Sequence, residues 1–437
     1  MPVCNDSGPR SQWWLFVVVV AAAWGCTGPT GDAGSAGAQA DAPGQHASDL
    51  AGLDQGDATV KLDESSEVAV GDVAGESVVA SDLTSQSEAA DSGSLTTAIW
   101  VHYPQPLTLT LRGSASPLSW TDDWMSKSIA PKAAYFEVPG DAASFAVKPL
   151  LAGVWSLGGN YVVTAKKQRT IYPYFDPKLA APRRDDFAVA GPDGKPRTLR
   201  VRLPAGYDEN SVATYRLLVM LDGQNVFDAQ TATFGVAWEV DEAIDKAMLA
   251  AKSEEYVVAA IDHAGAARIN EYTPWANASG QGGGGPAFFQ WVHAAVLPAL
   301  ATKYRLQSGA SARTIGGSSL GGLMSLYAVG AYPEHWSGAI AMSGSWWWAD
   351  LKTLTWIAAA AGTAQHPKIW LDVGTVKDGL QDAQALRKVL LELGWVENQT
   401  LGYYEAAGGD HSEKAWAARM HLPLGYFFDP KDRAPAF

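Results

Sequence analysis

The chain has 437 residues, a formal net charge of −14, 18 tryptophans and two cysteines, Cys4 and Cys26. That length accommodates one core of ordinary size plus accessory segments, and so few cysteines exclude a disulfide-stapled scaffold. The acidity is concentrated in one segment, so it says little about the substrate, and nothing in the chain points to nucleic acid as a partner.

Arg10 precedes an apolar run from Trp13 to Trp24, about a dozen residues and too short to span a bilayer. The run closes on Ala22-Ala23-Trp24-Gly25-Cys26. Small residues ahead of a cysteine resemble a bacterial lipoprotein signal over residues 1–26, with Cys26 as the lipidated N-terminus. Ordinary signal-peptidase cleavage near Ala23 or Gly25 is the alternative. The expected setting is extracytoplasmic, anchored to a bacterial membrane on the periplasmic side or at the cell surface. Cys4 would leave with the leader, and no intramolecular disulfide could then form.

Residues 27–96 contain no aromatic side chain, thirteen acids and one lysine, a net −12 of the chain's −14. Such a segment cannot bury enough apolar surface to offset its ordering entropy. It reads as a disordered tether.

From 97 to 170 the composition turns aromatic and β-rich. Strands are predicted at Ile99 to Tyr103, Leu107 to Leu111, Ala134 to Val138, Ser144 to Lys148 and Tyr161 to Thr164. Short alternating strands joined by polar turns imply a small β-sandwich. Leu118-Ser119-Trp120, Phe145 with Lys148, and Trp155 with Asn160 loosely resemble a starch-binding-type module. Trp120 or Trp155 could stack on a sugar; packing roles for both are the expected reading. Asp122 and Asp123 have no partner at metal-ligand spacing and read as solvated.

Residues 171–437 alternate between strand and helix patterns. Arg216 to Leu221 is an apolar strand followed by Asp222-Gly223-Gln224-Asn225. Tyr256 to Asp262 is another, followed by Arg268 and Glu271. These two read either as an ion pair anchoring the loop or, for Arg268, as a contact to a substrate carboxylate or phenolate. The stretch Gly317-Ser318-Ser319-Leu320-Gly321 contains Gly-x-Ser-x-Gly between a strand, Ala312 to Ile315, and a helical stretch from Leu323. That is the context of a nucleophile elbow, where the serine is strained, its neighbours must be small, and helix N–H groups face a nearby anion. The strand Gly338 to Met342 leads to Trp346, Trp347 and Trp348. One of these is expected in the core and another beside Ser319, so Trp346 and Trp347 are substrate-wall candidates.

Downstream, Lys368 to Gly374 reads as a buried strand, Asp378 lies in the loop after it, and a helix runs from Leu380 to Leu393. After the strand Leu401 to Glu405, His411 sits in the Gly-rich loop Gly408-Gly409-Asp410-His411. The order Ser, acid, His is that of an α/β-hydrolase triad. Asp378 is chosen as the acid, with Asp372 inside the strand as the rival. His421, on the next helix, reads as packing or surface. Oxyanion donors would be the N–H of Leu320 and that of Gln224, with Asn225 as the alternative.

Six blocks then carry a resemblance: Leu221-Asp222-Gly223-Gln224-Asn225-Val226-Phe227-Asp228, Arg268-Ile269-Asn270-Glu271-Tyr272-Thr273-Pro274-Trp275, Gly317-Ser318-Ser319-Leu320-Gly321-Gly322, Ser343-Gly344-Ser345-Trp346-Trp347, Asp372-Val373-Gly374-Thr375 and Gly409-Asp410-His411-Ser412-Glu413. From about Thr170 to Phe428 the chain resembles the esterase D / enterochelin esterase family of α/β-hydrolases. The resemblance implies a mostly parallel sheet flanked by helices, Ser319 as nucleophile, His411 as base and an acid just after Thr375. Relatives place that acid three residues after the glycine, where this chain has Lys377; Asp378 is one later. The implied function is a serine carboxylic-ester hydrolase acting through an acyl-enzyme on a siderophore, a feruloyl or acetyl polysaccharide, or an aryl ester. No cofactor or metal is called for. An acyltransferase of the mycolyltransferase type, or a carbohydrate-binding lipoprotein with an inactive hydrolase domain, is the alternative.

Overall fold

The computed structural model describes residues 96–140, 142–249, 254–360 and 366–429. The leader expected over residues 1–26, with Cys26, and the acidic segment up to residue 95 lie outside the described residues.

The large sheet is built from β1 (Phe187–Ala190), β2 (Pro196–Leu203), β3 (Arg216–Leu221), β4 (Tyr256–Ile261), β5 (Arg313–Ser318), β6 (Gly338–Met342), β7 (Lys368–Gly374) and β8 (Leu401–Ala406). Its spatial order is β1-β2-β4-β3-β5-β6-β7-β8, and a short strand Arg183–Arg184 also pairs along β2. β2 runs antiparallel to its neighbours, while β4, β3 and β5 to β8 are mutually parallel. That order, with helices on both faces, is the α/β-hydrolase fold.

Side chains alternate across each strand, and both faces are covered, so the central strands are apolar throughout. In β3, Leu217, Val219 and Leu221 meet the helical run 285–303, α2 (Leu320–Ala331), α3 (Trp348–Ala360) and α4 (Leu380–Glu392). Leu218 and Met220 face the other layer, with α1 (Val240–Leu249), α5 (Glu413–Arg419) and α6 (His421–Phe428). Truncating a fully buried member such as Leu390 would cost about 2–5 kcal/mol. The same alternation puts Asp372 on the face of Trp370, against the α5 layer.

β5 extends three residues beyond the expected Ile315, because Gly316, Gly317 and Ser318 pair with Ile340, Ala341 and Met342. Glycines inside a strand argue against strand propensity, but a Cβ at Gly316 would lie 2.9 Å from the Met220 sulfur. Close packing, not propensity, sets these residues.

Residues 96–171 form two smaller sheets. One orders Ser128–Ala130, Ala133–Pro139, Thr96–His102 and Arg169–Ile171; the other orders Trp124–Met125, Leu109–Gly113, Ser144–Leu151 and Val154–Trp155, with Tyr161–Thr164 also on Ser144–Leu151. Their facing side chains, among them Ile99, Leu111, Phe136 and Val147, share one core. The Glu209 carboxylate fastens this unit to the large sheet: it accepts from the Tyr103 hydroxyl at 2.8 Å and from the N–H groups of Phe175 and Asp176. Asn210 donates to the carbonyls of His102 and Pro173 at 2.9 and 2.8 Å. Arg169 pairs with Glu254.

Trp120 and Trp155 are not interior packing residues. They are 39% and 36% exposed, with ring centroids 6.2 Å apart and the Arg112 guanidinium 5.2 Å from the Trp155 ring. Asp122 and Asp123 are exposed, and Asp123 accepts from Arg112 at 2.7 Å.

Candidate active site

Ser319 follows β5 directly and caps α2 with φ 58° and ψ −122°, a strained conformation for a residue with a side chain. The surroundings hold it there. Its N–H donates to Met342 at 3.0 Å, and its carbonyl accepts from Leu323 at 3.1 Å and Ser345 at 3.0 Å. A Cβ at Gly317 would lie 2.9 Å from the Gly321 backbone, so the strand-to-helix turn could not close. At Gly321 the nearest atom would be 3.3 Å away, on Asp222, so that position is tight and less demanding than its partner.

The Ser319 hydroxyl lies 3.0 Å from His411 Nε2, and His411 Nδ1 lies 2.5 Å from Asp378 Oδ1. With Nδ1–H donating to the carboxylate, Nε2 is left to accept the serine proton. The Asp378 side chain is wholly buried, while that of His411 is 38% exposed. The loops carrying them are laced together: Thr375 N–H donates to Ala406, Val376 N–H to Gly409, and Gly408 N–H to the Thr375 hydroxyl. Gly374 permits this approach, since a Cβ there would lie 2.3 Å from the Gly409 oxygen.

Leu320 opens α2, and Gln224 lies in the turn Gly223–Asn225 after β3, the strand paired with β5. Among the described residues, neither N–H has an acceptor. Both therefore remain available at this end of the sheet, as an oxyanion site requires. The Gln224 residue is fixed by the Thr231 hydroxyl on its carbonyl at 2.7 Å and by the His263 N–H on its side-chain oxygen at 3.2 Å.

A cavity of about 390 Å³ opens on Ser319 and His411, walled by Asn225, Phe234, Trp238, His263, Arg268 and Trp416. None of the described residues of 96–171 lines it. Burial holds the His263 imidazole below its ordinary range, and its Nδ1 accepts from Gly265 N–H at 2.8 Å, which leaves Nε2 carrying the proton.

Several sequence expectations fall differently. Arg268 and Glu271 do not pair with each other. Arg268 makes two bonds to Asp222, at 2.6 and 2.8 Å, and Glu271 receives two from Arg197, both at 2.9 Å. Arg268 lines the cavity with its guanidinium already occupied. Trp346 is buried in the core, and Trp347 is 58% exposed against Trp348. Neither lines the cavity; its aromatic walls come instead from Phe234, Trp238 and Trp416. Asp372, the rival acid, makes no contact with His411. It pairs with Arg419 at 2.9 Å and accepts from the Trp370 indole at 2.7 Å, and burial pushes its carboxyl above the ordinary range against the pull of Arg419.

Sequence reasoning missed a group behind Asp378. Ser343 donates to Asp378 Oδ2 at 2.5 Å, and Gly374 N–H donates to the same oxygen. Ser345 stands 3.3 Å from the Ser319 hydroxyl, and Trp416 meets His411 edge-on with centroids 5.1 Å apart. The block Ser343-Gly344-Ser345-Trp346 is visible as a unit in the sequence, but nothing local marks its serines as partners of Asp378 and Ser319. Among the described residues, no cluster of three or more His, Cys, Asp or Glu could hold a metal ion.

Comparison with known proteins adds the following. The family model described as "Putative esterase" matches residues 193–426. The uncharacterized protein YbbA of Bacillus subtilis is 25% identical over 216 residues, 46% of this chain and 81% of that protein. The siderophore hydrolase EstB from Aspergillus nidulans superposes with a TM-score of 0.46 at 18% identity, over 59% of this chain and 98% of the other. The enterobactin esterase FES from Shigella flexneri, solved in the presence of enterobactin, does so with a TM-score of 0.45 at 17% identity, over 76% and 92%.

Proposed function

The chain belongs to the putative esterase family of carboxylic ester hydrolases, and we propose that it cleaves its ester through a Ser319–His411–Asp378 triad and an acyl-enzyme. The observation that carries this reading is the unbroken contact series from the Ser319 hydroxyl through His411 to the buried Asp378. His411 takes the Ser319 proton as the hydroxyl attacks the ester carbonyl. Asp378 holds the imidazole in the tautomer that can accept and stabilises its charged form. The N–H groups of Leu320 and Gln224 bear the charge of the tetrahedral oxyanion. His411 then protonates the leaving alcohol, and water, activated the same way, releases the acid. The exposure of His411 supports water as acceptor over an acyl-transfer acceptor that needs water excluded.

The cavity volume suits one small acyl or aryl group. A siderophore ester, a feruloyl or acetyl polysaccharide and a simple aryl ester are the substrate classes to compare. The test is an ester panel run with wild-type protein and Ser319→Ala. Turnover confined to the wild type supports the mechanism, and equal turnover by both sinks it.

The exposed pair Trp120 and Trp155 favours a polysaccharide as the body that carries the ester, since adjacent indole faces suit sugar rings. Binding of the full chain to insoluble starch, lost in Trp120→Ala/Trp155→Ala while aryl-ester turnover is kept, tests this. The leader supports an enzyme held outside the cytoplasm by lipid on Cys26, with residues 27–96 as its tether. An acylated N-terminal Cys26 in the mature protein is the expected mass-spectrometric result; an unmodified N-terminus leaves a soluble secreted enzyme.

A further inference from the structure

Ser343 is buried behind the acid and adopts φ 44°, a left-handed conformation that its neighbour Gly344 would take at lower cost. A hydroxyl has one proton and two lone pairs. The Ser343 oxygen accepts from the Trp416 indole at 2.9 Å and from Arg419 Nη2 at 2.6 Å. Both lone pairs are thereby used, and the single proton must point to Asp378 Oδ2, 2.5 Å away. Arg419 is itself fixed: Nε donates to Asp372 at 2.9 Å and Nη1 to the Ala415 carbonyl at 3.0 Å.

We propose that Ser343 is a positioning residue, oriented by Arg419 and Trp416, that locks the Asp378 carboxylate and through it sets the alignment of His411 and the pH range in which His411 accepts a proton. The proposal rests on the triad reading above. With Oδ1 facing His411 and Oδ2 held by Ser343 and Gly374, the carboxylate cannot rotate. The Ser343 proton also bears part of the charge of Asp378, and the Arg419 guanidinium lies 3.8 Å from the same oxygen. Asp372 balances Arg419, so the charge on Asp378 is left to His411.

The other ionisable groups around His411 are Glu413 on its own side, His263, Asp222 and Arg268 across the cavity, and Asp410 beside it in the chain. None of these touches Asp378 in a hydrogen bond. Removing the Ser343 hydroxyl therefore leaves Asp378 with more charge to offer the imidazolium, which then keeps its proton to higher pH.

The test uses the full chain with Ser343→Ala and Ser343→Gly, and an aryl ester assayed across pH. Glycine removes the same hydroxyl while relieving the backbone, so a fold defect and a hydroxyl defect separate. We expect kcat to fall about tenfold in both variants with KM little changed. The acid limb of kcat/KM should move up by about half a pH unit. Arg419→Lys, which keeps a cation beside Asp372 but loses the fork, should shift the limb the same way. A folded Ser343→Gly with an unmoved limb and normal kcat overturns the proposal. A defect in Ser343→Ala that Ser343→Gly restores also overturns it, by assigning the effect to the backbone. Ser319→Ala, run alongside, separates the levels: if it is inactive, an unmoved limb counts against Ser343 alone, and if it is active, the triad falls and this proposal with it.

Discussion

Arg268 and Asp222 form a two-bond ion pair on the wall of the cavity that holds Ser319. Asp222 sits at φ 58° immediately before the turn that presents Gln224, so the pair fixes that turn as well as its own charges. A guanidinium engaged this way has little left to offer a substrate carboxylate. We expect Arg268→Gln to lower kcat/KM about equally for neutral and anionic esters, because it frees Asp222 and unsettles the oxyanion turn. Selective loss of the anionic substrates, read from paired kcat/KM values, would restore Arg268 to direct substrate binding.

Ser319→Ala and His411→Ala should each lower kcat on a short aryl ester by roughly 10⁴-fold, without change in the thermal midpoint. The double variant should be no worse than either single one, since the groups act as a unit. Losses that multiply would show that the two serve separate steps.

Asp378→Asn should abolish most turnover while the thermal midpoint moves little, because Asn can keep the shape but offers His411 no charge. Asp372→Asn should act chiefly on stability, with a smaller effect on turnover passed through Arg419 to Ser343 and Asp378. It leaves the buried Arg419 guanidinium without its nearer counter-charge, with Asp378 at 3.8 Å the one that remains among the described residues, a loss of up to about 3–5 kcal/mol by analogy with other broken buried pairs. Thermal melts beside kcat measurements check both, and a dominant catalytic defect at Asp372 would reverse the assignment.

Glu255 lies just ahead of β4, in the wall of a small cavity between the accessory sheets and the large sheet. Burial, with Asp245 nearby, raises its carboxyl from 4.5 to about 7 despite the opposing Arg202. An acid whose folded-state value is raised binds its proton more tightly when folded, so it costs stability once deprotonated. Melting temperature should therefore fall as pH rises from about 4.5 towards 7, and Glu255→Gln should flatten that slope. A wild-type slope identical to that of the variant would show that Glu255 does not carry it.

Local pattern carried much of the architecture. Arg216–Leu221, Gly338–Met342 and Lys368–Gly374 could be bounded because each is a mainly apolar run, interrupted in the last by Asp372, that opens on a polar residue or glycine. Ser319, Asp378 and His411 stood out because each follows a strand in a loop, and the structure brings their side chains into contact. Partnership across the sheet was not legible. The parity of β7 says which face Asp372 occupies, but nothing local says that Arg419, 47 positions later, meets it there. The same blindness put Arg268 with Glu271, neighbours in sequence, when their partners are Asp222, just past β3, and Arg197 on β2. The three adjacent tryptophans misled for a related reason: their position just after the strand Gly338–Met342 placed them at the site, whereas Trp346 turns into the core and the cavity draws its rings from Phe234, Trp238 and Trp416.

The left-handed backbone at Ser319 sets folding and chemistry against each other at a single position. Glycine adopts that conformation freely, so exchanging the nucleophile for glycine would relieve the elbow while ending the reaction. The elbow therefore leans toward its own inactivation. A descendant no longer selected for turnover could drift to a sturdier, silent protein by one substitution, keeping the cavity and its aromatic walls as a receptor for whatever the ester once was.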